Sequence, residues 1–357
     1  MNGRAAPREP PGRGIFRYHP ARVTIWPDPR APAPWEWPSL RDAINRIFRP
    51  AGGDLTAELP RLFHPANRGN LRVVVGGGAA GAVDPRGASI GLDGATRASS
   101  PRPGIDGVAT GGDGGWAEDE DEAHILAHAA YLPRLAIVGG QRVRVGCIGA
   151  VFVVPGMRAQ GIGTQVLESV LALARAESEL VLVSGDRGLY RRQGLRPASP
   201  LVRFVPSPDS GAAARIRTRD ATADDIDRLI AMHDALDVRF VRSAGDWRHW
   251  LAGGLSMMGT PARCAVVMRG GAPVGYTVAL TSAAGDRRII EFGGDREAVL
   301  DAAGARGDEL WVPPYDADTL ARARARGWPA TPRAFPVTAE ARSARATTVP
   351  WYGLDYL

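Results

Sequence analysis

Between residues 143 and 176 the sequence leaves little conformational freedom. V-R-V-G-C-I-G-A-V-F-V-V runs straight into Pro155, the turn G-M-R-A-Q-G-I-G-T follows, and Val166, Leu167, Val170, Leu171, Leu173 and Ala174 then recur at helical spacing. A strand this continuously apolar needs cover on both faces, and a helix with one apolar stripe supplies cover on one of them. A strand leading directly into such a helix commits the chain to α/β architecture. The spacing predicts a helix from about Gly161 to Ala176 and a strand over 143–154.

The turn itself carries chemistry. At a strand-to-helix junction the first helical N–H groups lack intrahelical partners and sit at the positive end of the helix dipole, which makes an anion site. Gly161 and Gly163 remove the side chains that would keep a phosphate from that backbone, and Arg158 adds a charge at the same mouth. Pro155 brings no N–H to a ladder, so it ends the strand and leaves the last groups, at Val151, Phe152 and Val153, free to pair with a ligand. A ligand with a pyrophosphate and an extended amide arm fits both features. By itself an R-x-x-G-x-G turn is a weak signal, because glycine-rich turns are mostly structural.

The combination V-x-V-x-P-x-x-R-x-x-G-x-G followed by an amphipathic helix resembles motif A of the GNAT (GCN5-related) N-acyltransferases. The later S-G-D-R-G-L-Y-R-R-Q-G-L (184–195) resembles that family's second signature. I-N-R-I-F-R (44–49), L-F-H-P-A-N (62–67) and W-Y-G-L-D-Y-L (351–357) are similar to tandem-domain GNATs of the enhanced-intracellular-survival type. The resemblance implies two tandem GNAT-like domains, each a mixed, mainly antiparallel sheet flanked by helices. It implies acetyl-CoA, or another acyl-CoA, as co-substrate, held by Val151, Phe152, Val153, Arg158, Ala159, Gln160, Gly161, Ile162, Gly163, Thr164 and Ser184. It also implies that Tyr190 protonates the departing thiolate, and that the terminal carboxylate of Leu357 accepts the amine's proton. The bland readings are a half-buried helix tyrosine, a helix-capping serine and a tail that seals the domain interface.

At 357 residues the chain is long for one core and suits two domains. We expect a disordered tail at 1–19 and a catalytic domain over 20–206, interrupted by a Gly, Ala, Ser, Pro and Asp-rich insertion at about 76–121. A linker at 207–214 and a second domain over 215–357 follow. The nearest counterpart to the phosphate turn in the second half, E-F-G-G-D-R-E (291–297), has neither the arginine pattern nor the proline, so that domain reads as degenerate. Strand runs followed by strand–helix alternation in both halves suggest a duplication.

The net charge of +6 favours anionic ligands, but the arginines are spread along the chain with few aromatics between them, which disfavours nucleic-acid binding. Cys147 and Cys264 each lie in an apolar run, outside any ligand spacing, and read as buried thiols. No apolar stretch reaches 18 residues, so we expect a cytoplasmic protein without a membrane partner. His124 and His128 would share a strand face, yet without a third ligand they read as structural or substrate-lining and no metal is expected. The acidic run Glu118–Glu122 reads as a solvated loop, and Trp247 and Trp250 as packing residues. The expected activity is transfer of an acetyl group to a primary amine on a small molecule or peptide. A non-catalytic acyl-CoA-binding module is the alternative and a basic nucleic-acid binder a more distant one, while homo-oligomerisation is left open.

Overall fold

A computed structural model describes residues 26–76, 124–198, 200–253, 255–257, 260–334, 337–344, 346, 348–350 and 355. The expected tail, the insertion with its acidic run, and Tyr352, Leu354, Tyr356 and Leu357 lie outside the described residues.

The first half opens with helices α1 (Trp37–Phe48) and α2 (Leu55–Glu58), followed by strands β1 (Leu71–Gly76), β2 (His124–Val138) and β3 (Gln141–Val153). Helix α3 (Ile162–Glu177), β4 (Leu180–Ser184), α4 (Gly188–Arg192), β5 (Arg196–Pro197) and β6 (Leu201–Phe204) complete it. In the second half α5 (Ser210–Arg215), β7 (Arg217–Asp220), α6 (Ile226–Asp234), β8 (Val238–Phe240), α7 (Ala244–Gly253) and β9 (Leu255–Met257) precede β10 (Thr260–Arg269), β11 (Ala272–Thr281) and β12 (Arg287–Gly294). Then come α8 (Arg296–Arg306), β13 (Glu309–Val312), α9 (Ala317–Ala325), β14 (Ala330–Arg333) and β15 (Val337–Ala341).

These strands form two mixed, mainly antiparallel sheets flanked by helices, as expected. Among the described residues the first sheet runs β1-β2-β3-β4-β15-β5 with β8 also on β2, and the second runs β14-β6-β13-β12-β11-β10-β7 with β9 on β10. The orders are reciprocal. In the first sheet a strand from the second half, β15, lies between β4 and β5; in the second, a strand from the first half, β6, lies between β13 and β14. Each sheet therefore borrows its next-to-last strand from the other half. The stretch read as a linker, 207–214, holds most of α5, which Asp209 caps by accepting from the Gly211 N–H.

The α3 stripe packs as the periodicity requires. Ile162, Val166, Leu167, Val170, Leu171 and Ala174 are all fully buried against one face of the first sheet, while Leu40 and Ile44 of α1 cover the other. Gly146 lets α3 sit close, since a Cβ there would stand 2.8 Å from Ser178 Oγ and 3.1 Å from Ala174 Cβ. The apolar runs at 124–129 and 135–138 read from the sequence as two strands parted around Pro133, but they are one 15-residue strand, β2, that passes through it. Proline is tolerated because it falls in a gap of the sheet edge. Pairing with β1 ends at Leu71↔Ala130 and pairing with β8 begins at Phe240↔Ala136, so no neighbour asks for its N–H.

A buried charge network joins the halves. Asp355 accepts from Arg134 of β2 and lies 2.6 Å from the Arg242 guanidinium, which binds Glu291 of β12 through both nitrogens at 2.5 and 2.8 Å. All four side chains are at most 6% exposed. Burial alone would raise the Asp355 carboxyl, but the two arginine charges overcome it and hold it down at about 2. Tyr276 donates a further hydrogen bond to Glu291 at 3.1 Å. A second cross-half ion pair, Arg61 with Asp246, lies closer to the surface. We expect Asp355→Asn to cost about 3–5 kcal/mol, because it leaves two buried guanidinium groups facing one carboxylate. Urea unfolding monitored by tryptophan fluorescence measures it, and a loss below about 1 kcal/mol would show that the network does not hold the halves together.

Candidate functional site

The site is built at the end of β3. Parallel pairing of β3 with β4 covers Val145↔Leu180 to Ile148↔Val183 and goes no further, although β3 continues to Val153. The strands part because β3 contains a bulge. Its register against β2 passes from Gly149↔Ala130 to Phe152↔His128, so that two residues of β3, Ala150 and Val151, stand against the single Ala129 of β2, and Ala150 takes a left-handed φ of 51°. Beyond the bulge the Val154 N–H donates to the Leu126 carbonyl at 2.9 Å. By strand alternation the backbone groups of Val151 and Val153 then face away from β2, into the space that β4 has left.

The bulge has an anchor. His128 Nδ1 lies 2.8 Å from the Ala150 carbonyl oxygen, so the ring donates from Nδ1. The imidazole is fully buried between Phe63 and Phe152, with ring centroids 6.1 and 5.6 Å away and interplanar angles of 29° and 30°. Burial lowers its pKa to about 4, against the opposing effect of the carbonyl bond, and it stays neutral at physiological pH. His124 does not share its environment. Leu126 is an extra residue of β2 in the β1 pairing, which breaks the alternation and leaves His124 exposed.

After Val153 the chain makes a short 3-10 turn, Pro155–Met157, and reaches α3 through two left-handed residues, Ala159 at φ 62° and Gly161 at φ 86°. Gly161 is the N-cap of α3 and offers no side-chain cap. A Cβ at Gly161 would meet no atom within 4 Å, so the mouth is open. The N–H of Thr164 already bonds the Gly161 carbonyl at 2.9 Å, which leaves that residue's hydroxyl to contribute. Arg158 is exposed and makes no ion pair among the described residues; its Nε reaches back to the Val153 carbonyl at 3.3 Å. The Gln160 carbonyl is taken by the Trp26 indole at 3.3 Å.

The corresponding junction of the second sheet has the opposite electrostatics. There β12 leads to Asp295, whose carboxylate accepts from the Ala298 N–H at 3.0 Å and so caps α8 itself. A negative charge occupies the place where α3 presents bare N–H groups.

Tyr190 of α4 is buried at 2% exposure, in the same cluster as Ile162 and Val183. It reaches the end of β4 because Gly185, at φ 129°, makes room for it. A Cβ there would stand 2.8 Å from the tyrosine ring and 3.6 Å from its hydroxyl. Gly163 of α3 faces Val153 and Leu189 in turn, at 3.1 and 3.8 Å from its Cβ position. Ser184 ends β4 and pairs with Val337 of the borrowed strand. Val153, Gly163, Ser184 and Tyr190 therefore converge from four elements, whereas Leu357 is outside the described residues.

A cavity of about 860 Å³ lies elsewhere, between the halves, where Arg61, Tyr131, Arg134, Glu177, Trp250 and Asp355 are among its walls. It opens at the C-terminal end of α3, and 16 residues at about 1.5 Å each place it roughly 24 Å from the turn. The chemistry described above is at the other end.

Comparison with protein families matches residues 100–195 to the Acetyltransferase (GNAT) family. This segment resembles that family. The match includes both the R-x-x-G-x-G turn and Tyr190. The fold is similar to a GCN5-related N-acetyltransferase from Anabaena variabilis, with a TM-score of 0.53 and 14% identity over 88% of this chain and 73% of that one. Similarity also extends to a GCN5-related N-acetyltransferase from Kribbella flavida (TM-score 0.45, 19% identity, 64% of this chain) and to Eis1 from Mycobacterium abscessus (0.42, 18%, 61%). The alignments span 60% and 62% of those two chains. No curated protein matches the sequence.

The buried imidazole predicts a distinctive acid response. His128 is neutral in the fold and binds a proton more readily when unfolded, so its contribution is complete above about pH 6.5 and is lost as pH falls toward about 4. The shift corresponds to at most roughly 3 kcal/mol. Urea midpoints between pH 7 and 4 should fall more steeply for the wild type than for His128→Asn; parallel curves would refute the buried neutral imidazole.

Proposed function

We propose that the chain is an acyl-CoA-dependent N-acyltransferase that passes an acetyl group from acetyl-CoA to a primary amine. One observation carries the reading: a strand edge at Val151 and Val153 that no other strand joins among the described residues leads within one turn to a helix N-terminus without a side-chain cap. A pantetheine arm can pair with the first as an added strand, and a pyrophosphate can take the second.

In this reading the backbone N–H groups from Ala159 to Gly163, the Thr164 hydroxyl and the Arg158 guanidinium hold the pyrophosphate, with Gln160 and Ile162 contributing through their backbone. Val151 and Val153 align the pantetheine, and a backbone N–H there polarises the thioester carbonyl; Phe152, expected from the sequence to share this role, instead pairs with His128 of β2 and stacks its ring on that imidazole. Ser184 contacts the arm at the parting of the strands. The neutral amine attacks the carbonyl carbon, the C–S bond breaks, and the thiolate takes its proton from Tyr190. The nitrogen, cationic after attack, gives its proton to water; Asp355 is held beside Arg134 at the far end of α3, so a carboxylate two residues beyond it does not reach the thioester. The second half, with its helix capped by Asp295, serves as a support without a cofactor site of its own.

Two variants separate binding from chemistry. Asn tolerates a left-handed φ, so Gly161→Asn should stay folded while its side chain enters the phosphate space and lowers CoA affinity at least about 10-fold. Tyr190→Phe should retain affinity and lose about 100- to 10,000-fold in turnover. Calorimetry with CoA and a thiol-release assay over a panel of amines read the two effects, and undiminished CoA binding by Gly161→Asn would remove the phosphate assignment.

A further inference from the structure

We propose that His128 is a positioning residue for acyl transfer: its Nδ1–H holds the Ala150 carbonyl and thereby fixes the β3 bulge that aims the Val151 and Val153 backbone at the thioester. The inference rests on the acyltransferase reading above and adds to it a residue outside the phosphate turn and the Tyr190 segment.

An imidazole is an expensive way to fill this space. The ring is fully buried between two phenylalanines, and its second nitrogen, Nε2, has no hydrogen-bond partner among the described residues. A leucine or phenylalanine would fill the same volume with no polar atom left unsatisfied. What such a residue could not do is donate to the Ala150 carbonyl, which His128 does at 2.8 Å. That carbonyl belongs to a residue in a conformation that L side chains avoid, φ 51°, and such a backbone persists only where its surroundings fix it. The bond therefore falls on the strained residue of the bulge.

The second sheet provides an internal comparison. Its central strand β12 also carries one extra residue, Ile290, between the pairs Glu291↔Val278 and Ile289↔Ala279. There no residue takes a left-handed φ at the bulge, and the residue opposite Phe292 is Thr277, where His128 stands opposite Phe152 in the first sheet. The histidine accompanies the strained bulge, in the sheet that also has the uncapped helix.

Positioning matters because the thioester must meet a polarising N–H within hydrogen-bond reach, and a shift of about 1 Å can cost 100-fold in rate. His128→Leu should therefore bind CoA within about twofold of wild type by calorimetry, yet turn over on the order of 10- to 100-fold more slowly. In His128→Asn the side-chain amide can take the place of the Nδ1–H, so most of the rate should return. A readout independent of the acceptor is the infrared carbonyl stretch of bound acetyl-CoA labelled with ¹³C at the thioester. It should shift to lower frequency in wild type and His128→Asn, and lie near its free value in His128→Leu. An unchanged stretch and rate in a folded His128→Leu would overturn the assignment, as would equal losses in the Leu and Asn variants. If wild type itself fails to bind acetyl-CoA, the acyltransferase reading falls and this inference with it; normal binding with an indifferent His128→Leu removes the inference alone.

Discussion

Arg134, Asp355, Arg242 and Glu291 alternate in charge across the contact between the two sheets, and all four side chains are almost wholly buried there. The Arg242 guanidinium lies over Trp247 and Trp250, 5.1 and 4.9 Å from the ring centroids, and Arg134 lies 5.0 Å over Phe240. Such a network adds little net stability over an apolar core of the same shape, because each ion must first lose its water. Its contribution is to orientation. Each member has one arrangement that satisfies it, so the sheets are held at one relative setting, whereas an apolar contact would tolerate sliding. Arg134 is on the strand that also carries His128, six residues away, and the support therefore runs along β2 toward the bulge.

Local chemistry was readable from the sequence, and distant chemistry was not. The α3 stripe and the strand ending before Pro155 are each specified by residues within a few turns of one another, and they stand where periodicity puts them. β5, β14 and β15 were not expected. Two residues of Arg-Pro, or an exposed A-T-P-R, become strand only because a neighbouring ladder receives them. Pro133 looked like a strand boundary for the same reason, since the gap that accommodates it is made by β1 and β8. The turn was legible down to its glycines, yet the His128 bond to Ala150 spans 22 residues and leaves no mark in spacing. The charge network spans up to 221.

Comparison of the two sheets shows how small a change alters the character of a helix start. α3 and α8 follow corresponding strands with corresponding bulges. Gly161 leaves the first dipole end bare, and Asp295 neutralises the second while also pairing with Arg269 at 2.7 Å. A carboxylate that caps its own helix gains stability from the same N–H groups that a ligand would need. The two roles exclude each other at one site.

The reciprocal loan of strands has a consequence for how the molecule comes into being. β4 cannot complete its hydrogen bonding until β15 arrives, about 150 residues later in the chain. During synthesis the first sheet must therefore wait with an open edge while nearly all of the second half is made, and β6 waits likewise for β13 and β14. The halves cannot mature one after the other as beads on a string. Each sheet is complete only when strands from both halves are in place, and the sheet that carries the candidate site is finished only when its twin has been made.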